Sequence, residues 1–141
     1  MKNLYLLALQ ANFIEQISGL ENLAGLNELY LQQNAITKIE GLSTLTELTT
    51  LDIAYNKLTE VTGLASQRDT LEELWLNWNQ IGDFEETMAE LQKFHKLKTV
   101  YIADNPMVKG HSSYLEVVKS KLPRVEQIDG YMLKQLFNFK G

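Results

Sequence analysis

Cysteine is absent from the 141 residues, so neither a disulfide framework nor a thiolate zinc set is available. No Asn-x-Ser/Thr acceptor occurs, and nothing signals secretion, so the expected location is intracellular, in nucleus and/or cytoplasm. No apolar run is long enough to span a bilayer, and no signal-peptide pattern opens the chain. Thirteen Lys and Arg stand against eighteen Asp and Glu, a formal net charge of −5, which argues against a nucleic-acid partner because that role calls for a basic face. Low-complexity runs and Pro/Gly/Ser linkers are also missing, so one domain is expected. Chemistry-bearing motifs are equally scarce. His95 and His111 have no thiol to complete a metal set, no phosphate-cradling glycine loop or nucleophile motif appears, and the consecutive Glu85 and Glu86 diverge on a helix. The expectation is a non-enzyme that needs no metal or organic cofactor.

What the chain has in abundance is a ladder of asparagines: Asn12, Asn34, Asn56, Asn79 and Asn105, spaced by 22, 22, 23 and 26 residues. Each closes a frame Leu-x-x-Leu/Val-x-Leu/Ile-x-x-Asn, the first running from Leu4 and the last from Leu97. Behind the first three comes a second half, Ile14-x-x-Ile17-x-Gly19-Leu20, repeated at Ile36 to Leu42 and at Leu58 to Leu64. Period and pattern are those of the leucine-rich repeat, which the chain resembles over most of its length. One such repeat buries too little apolar surface to offset its ordering entropy, so the coils must stack.

The implied fold is an α/β, right-handed leucine-rich-repeat solenoid, with a parallel concave sheet, short helices or turns on the convex side and a C-terminal cap. Five repeats are expected over 1–106 and the cap over 107–141, continuous as a single domain. Strand alternation sends the frame leucines inward and the residues between them outward. The asparagine amide is placed to satisfy backbone groups freed at the bend, and the frame glycine suits a positive φ. In the fourth coil Asp83 is the expected N-cap of a helix carrying Phe84, Met88 and Leu91 on one face, with Glu86 completing a capping box and Lys93 and Lys96 in its last turn. Ser113 and Glu116 open a second helix that Pro123 ends, and Val125 to Gly130 reads as a final edge strand and turn. Nothing precedes Leu4 to shield the first strand, which implies a fragment of a longer solenoid or pairing of that edge with another chain.

Function is expected on the concave sheet, the surface a solenoid repeats. Its central outward column reads Ala8, Tyr30, Asp52, Trp75, Tyr101, and the column two residues earlier Leu6, Glu28, Thr50, Glu73, Thr99, with no Lys or Arg in either. Gln33, Tyr55, Trp78 and Asp104 widen this face at the strand ends. Aromatic rings favour a binding role, since they bury large areas with few rotors to freeze, and the carboxylates select a basic partner surface.

The segments LTTLDIAYN (48–56), LEELWLNWN (71–79), LKTVYIADNP (97–106) and LPRVEQIDG (122–130) resemble the final repeats and cap of the leucine-rich-repeat regulatory subunit of type 1 protein phosphatase. That resemblance implies that Asp52, Glu73, Trp75 and Tyr101 contact the phosphatase catalytic subunit, with Tyr30 and Glu28 as weaker contacts. The family's subunit has about twice as many repeats, with contacts reaching into a half this chain lacks. The chain also resembles the axonemal dynein light chain and the spliceosomal repeat protein that holds an RNA-binding partner. Those alternatives imply an adaptor or scaffold with a motor or splicing-protein partner.

Overall fold

The computed structural model describes residues 3–132. They form one seven-stranded sheet in chain order, β1 (Leu6–Ala8), β2 (Glu28–Tyr30), β3 (Thr50–Asp52), β4 (Glu73–Trp75), β5 (Thr99–Tyr101), β6 (Gln127–Ile128) and β7 (Tyr131–Met132). β1 to β6 pair in parallel and β7 returns antiparallel to β6. At the C-terminal end the edge strand is therefore β7, not the Val125 to Gly130 segment expected there. Residues 133–141 of the expected cap lie outside the described residues.

The frame leucines build the core. Leu26, Leu29, Leu48, Leu51, Leu71, Leu74 and Val100 are fully buried, and Leu31, Ile53, Leu76 and Ile102 lie beside them. At roughly 25 cal/mol per Å² this continuous apolar column is the largest favourable contribution to folding. In the first coil Leu4, Leu7, Leu9 and Ile14 are only partly buried, and Leu6 and Phe13 are exposed, Phe13 by 93%.

The asparagines knit successive coils. Asn56 Nδ2 donates to Leu31, Ile53 and Ala54 carbonyls at 3.0, 3.1 and 3.0 Å, while its Oδ1 accepts from the Ile36 amide at 2.9 Å. Asn34, Asn79 and Asn105 repeat the arrangement. Each coil's bend thus borrows hydrogen bonds from the next, which replaces the pairing a parallel strand loses where it turns away. Gly41 and Gly63 hold φ of 74° and 76°, and Gly63 lies so close to the preceding coil that a Cβ there would sit 2.0 Å from the Ile39 carbonyl oxygen.

On the convex side the turn Ala65–Gln67 plugs the core with a polar group. Gln67 is fully buried and its Nε2 donates to the Leu42 and Leu45 carbonyls at 2.8 and 2.9 Å. α1 (Phe84–Leu91) is capped by Asp83, whose Oδ1 accepts from the Glu86 amide at 2.9 Å, and it buries Met88 and Leu91. It ends before Lys93 and Lys96, contrary to their expected place in its last turn, because the chain must leave at Gln92 to bring Phe94 and Leu97 into the core. Lys93 instead pairs with Glu90 at 3.1 Å. α2 (Tyr114–Lys121) follows Ser113, whose side chain makes no capping bond, and buries Val118.

Candidate functional site

The parallel register lines up the outward residues. Ala8, Tyr30, Asp52, Trp75 and Tyr101 face one another strand by strand, and so do Leu6, Glu28, Thr50, Glu73, Thr99 and Gln127. Each strand offers only its first and third residues to this face, because the middle one belongs to the core. All six expected contact residues, Glu28, Tyr30, Asp52, Glu73, Trp75 and Tyr101, therefore lie on two adjoining columns.

Their environments differ. Trp75 and Tyr101 stack with ring centroids 3.9 Å apart and planes 14° off parallel. Gln127 Nε2 meets the Tyr101 hydroxyl at 3.5 Å. Tyr30 donates its hydroxyl to Glu28 Oε1 at 2.5 Å, and this bond, with burial and the fields of Glu28, Glu73 and Asp52, pushes the phenol up to about 12. Glu73 is exposed and accepts from Thr50 Oγ1 at 3.2 Å.

Asp52 is not the open carboxylate its place in the column implied. It is only 9% exposed, and its Oδ1 accepts from the Ala54 amide at 3.1 Å. Burial raises its carboxyl above the usual range, with the Ala54 amide pulling the other way. A folded-state value above the unfolded one favours folding in acid, so this contribution is lost as pH rises toward the raised value.

A second aromatic pair was legible as position but not as conformation. Gln33, Tyr55, Trp78 and Asp104, each just before a ladder asparagine, adopt φ between 56° and 61°. Left-handed backbone at a bulky side chain costs on the order of 1 kcal/mol or more. Tyr55 and Trp78 are 48% and 50% exposed and stack with centroids 5.7 Å apart. Beside Trp78 runs a cleft lined by Ala103, Asp104, Pro106, Val108, Lys109 and Tyr114. Gln67 and the strained rim were both missed from the sequence, because glutamine and tryptophan carry no signal for burial or for positive φ.

The histidines stand away from this face. His95 lies 3.7 Å from Asp69, and His111 packs against the Phe84 ring at 5.0 Å. Among the described residues no three His, Cys, Asp or Glu side chains gather as a metal site, and no helix is long and apolar enough to cross a membrane.

Residues 24–66 match the family described as Leucine Rich repeats (2 copies), and residues 69–83 match Leucine Rich repeat. A chain in the crystal structure of the Drosophila melanogaster SNF/U2A' complex is similar at 26% identity and a TM-score of 0.82, over 96% of this chain and 78% of that one. Two Listeria monocytogenes proteins share the fold at 21% identity. The functional domain of InlJ has a TM-score of 0.66 over 90% of this chain and 25% of its own, and the internalin InlF 0.54 over 82% and 38%. Among curated proteins none matches significantly. These likenesses lend no support to the phosphatase-regulator resemblance. Repeat frame, parallel sheet and repeat matches agree: the chain has the leucine-rich-repeat fold.

Proposed function

We propose that the chain is a non-catalytic adaptor that holds a folded protein partner against its concave sheet; one similar chain belongs to the SNF/U2A' complex. The observation that carries this is the aromatic and acidic column without a cation: Tyr30, Asp52 and the stacked Trp75 and Tyr101, flanked by Glu28 and Glu73. Aromatic side chains already stacked lose little further freedom on binding, which is what makes them hot spots. The splicing-type partner replaces the phosphatase catalytic subunit as the first candidate, and the site of action is intracellular. The repeats over 1–106 and the cap over 107–141 act as one domain.

Calorimetric titration with SNF, beside the type 1 phosphatase catalytic subunit, tests the reading. SNF binding that a folded Trp75→Ala, Tyr101→Ala variant loses, by about 2 kcal/mol or more, is the expected result. Binding of the phosphatase subunit alone would return the reading to a phosphatase regulator. Exposed Leu6 and Phe13 beside the outer edge of β1 favour a second reading, self-association. Sedimentation would show it as a mass that rises with concentration, and a constant monomer mass would remove it.

A further inference from the structure

The central column contains a gap. Tyr30 and Trp75 stand on β2 and β4 with the short Asp52 between them on β3. Strands two apart lie roughly 10 Å from one another, and a planar group sandwiched between two rings needs about 7 Å. Trp75 turns one ring face to Tyr101, its neighbour on β5, so its other side looks over Asp52 toward Tyr30. Tyr30 is fixed by its hydroxyl's bond to Glu28.

The floor of the gap is unusual in its own right. Asp52 is nine-tenths buried; among the described residues its one hydrogen bond runs from the Ala54 amide to Oδ1, no cation pairs with it, and Oδ2 keeps contact with solvent rather than with a protein donor. Burial of an unpaired carboxylate is unfavourable, and in the free chain it raises the Asp52 carboxyl; a cation brought to Oδ2 by a partner would remove the same penalty. Glu28 and Glu73 flank the gap and add to the negative field that Tyr30 registers.

We propose that this slot takes the guanidinium of an arginine on the protein partner, layered between Tyr30 and Trp75 and hydrogen-bonded to Asp52 Oδ2. The assignment rests on the concave-face reading above. Arginine fits better than lysine because its cation is planar, stacks on aromatic faces and sheds water more readily than an ammonium. Binding a guanidinium there neutralises Asp52 without moving the sheet.

The test is an NMR titration of the whole chain with N-acetyl-arginine amide, N-acetyl-lysine amide and N-acetyl-citrulline amide, reading the two indole N–H signals. Arginine should shift the Trp75 signal saturably, with a dissociation constant on the order of 1 to 10 mM, and leave that of Trp78 still. Citrulline, equal in shape and uncharged, should do nothing, and lysine should bind more weakly. Asp52→Asn should weaken the arginine response by about tenfold or more without lowering the melting temperature at neutral pH, since the amide keeps the acceptor for Ala54 and loses the buried charge. An equal response to citrulline, a preference for lysine, or full arginine binding by Asp52→Asn would overturn the slot. Protein binding that depends on Trp75 and Tyr101 while the arginine titration fails would overturn this assignment alone and leave the concave-face reading in place.

Discussion

Asn56→Ala is expected to lose on the order of 3 to 4 kcal/mol of folding stability, while Asn12→Ala, the same change at the same repeat position, loses less than about 1 kcal/mol. The difference comes from what each side chain holds. Asn56 is buried and serves four backbone groups in two coils. Three of those are carbonyls with another donor at hand: Leu31 keeps Asn34, Ile53 keeps Asn79 and Ala54 keeps the Gln33 amide. The fourth, the Ile36 amide, has Asn56 Oδ1 as its acceptor and is left orphaned inside the stack. An orphaned buried amide costs about 1 to 3 kcal/mol, and three lost bonds add several tenths or more each. Asn12 is exposed, and its Nδ2 donates to the Leu9 and Gln10 carbonyls, which water can serve instead. Urea denaturation of both variants checks this. Equal losses would mean that the ladder bonds do not set the cost.

A graded series at the frame glycines has the second large effect. All three hold positive φ, 80° at Gly19, 74° at Gly41 and 76° at Gly63, so alanine brings a common backbone cost of about 1 to 2 kcal/mol. Space then separates them. A Cβ at Gly19 meets nothing within 4 Å, at Gly41 it meets the Ile17 carbonyl oxygen at 3.0 Å, and at Gly63 it meets the Ile39 carbonyl oxygen at 2.0 Å and its carbon at 2.9 Å. The last obstacle is backbone of the preceding coil and cannot rotate aside. Gly63→Ala should therefore cost more than about 3 kcal/mol, Gly41→Ala an intermediate amount and Gly19→Ala only the common term. A flat series in thermal unfolding would show that coil spacing relaxes to absorb a methyl group.

The parts of this architecture that repeat are legible in the sequence, because a buried leucine or a bend asparagine recurs at fixed spacing and each occurrence supports the others. Both face columns came from the same frame, with the register of Tyr30, Asp52, Trp75 and Tyr101 following from strand alternation. Features set by a single neighbour were not legible. Asp52 lies on a strand whose three residues are all buried, which the repeat frame does not encode, Gln67 is buried because the third turn folds over a core that needs a donor for two carbonyls, and the Lys93 placement failed because tertiary return of the chain overrides helical pattern. Neither could the pattern foresee β7, whose two residues obey no frame.

The in-register stack also has a kinetic consequence. Every strand pair from β1 to β5 joins residues 22 to 26 positions apart, so each docking event closes a loop of nearly the same length. Loop-closure entropy grows only with the logarithm of length, which makes the entropic toll of adding a coil almost uniform along the chain. No single long-range closure dominates the barrier, and the coils from β2 to β4, whose apolar frame residues are all buried while those of the first coil are not, are where zipping is expected to start.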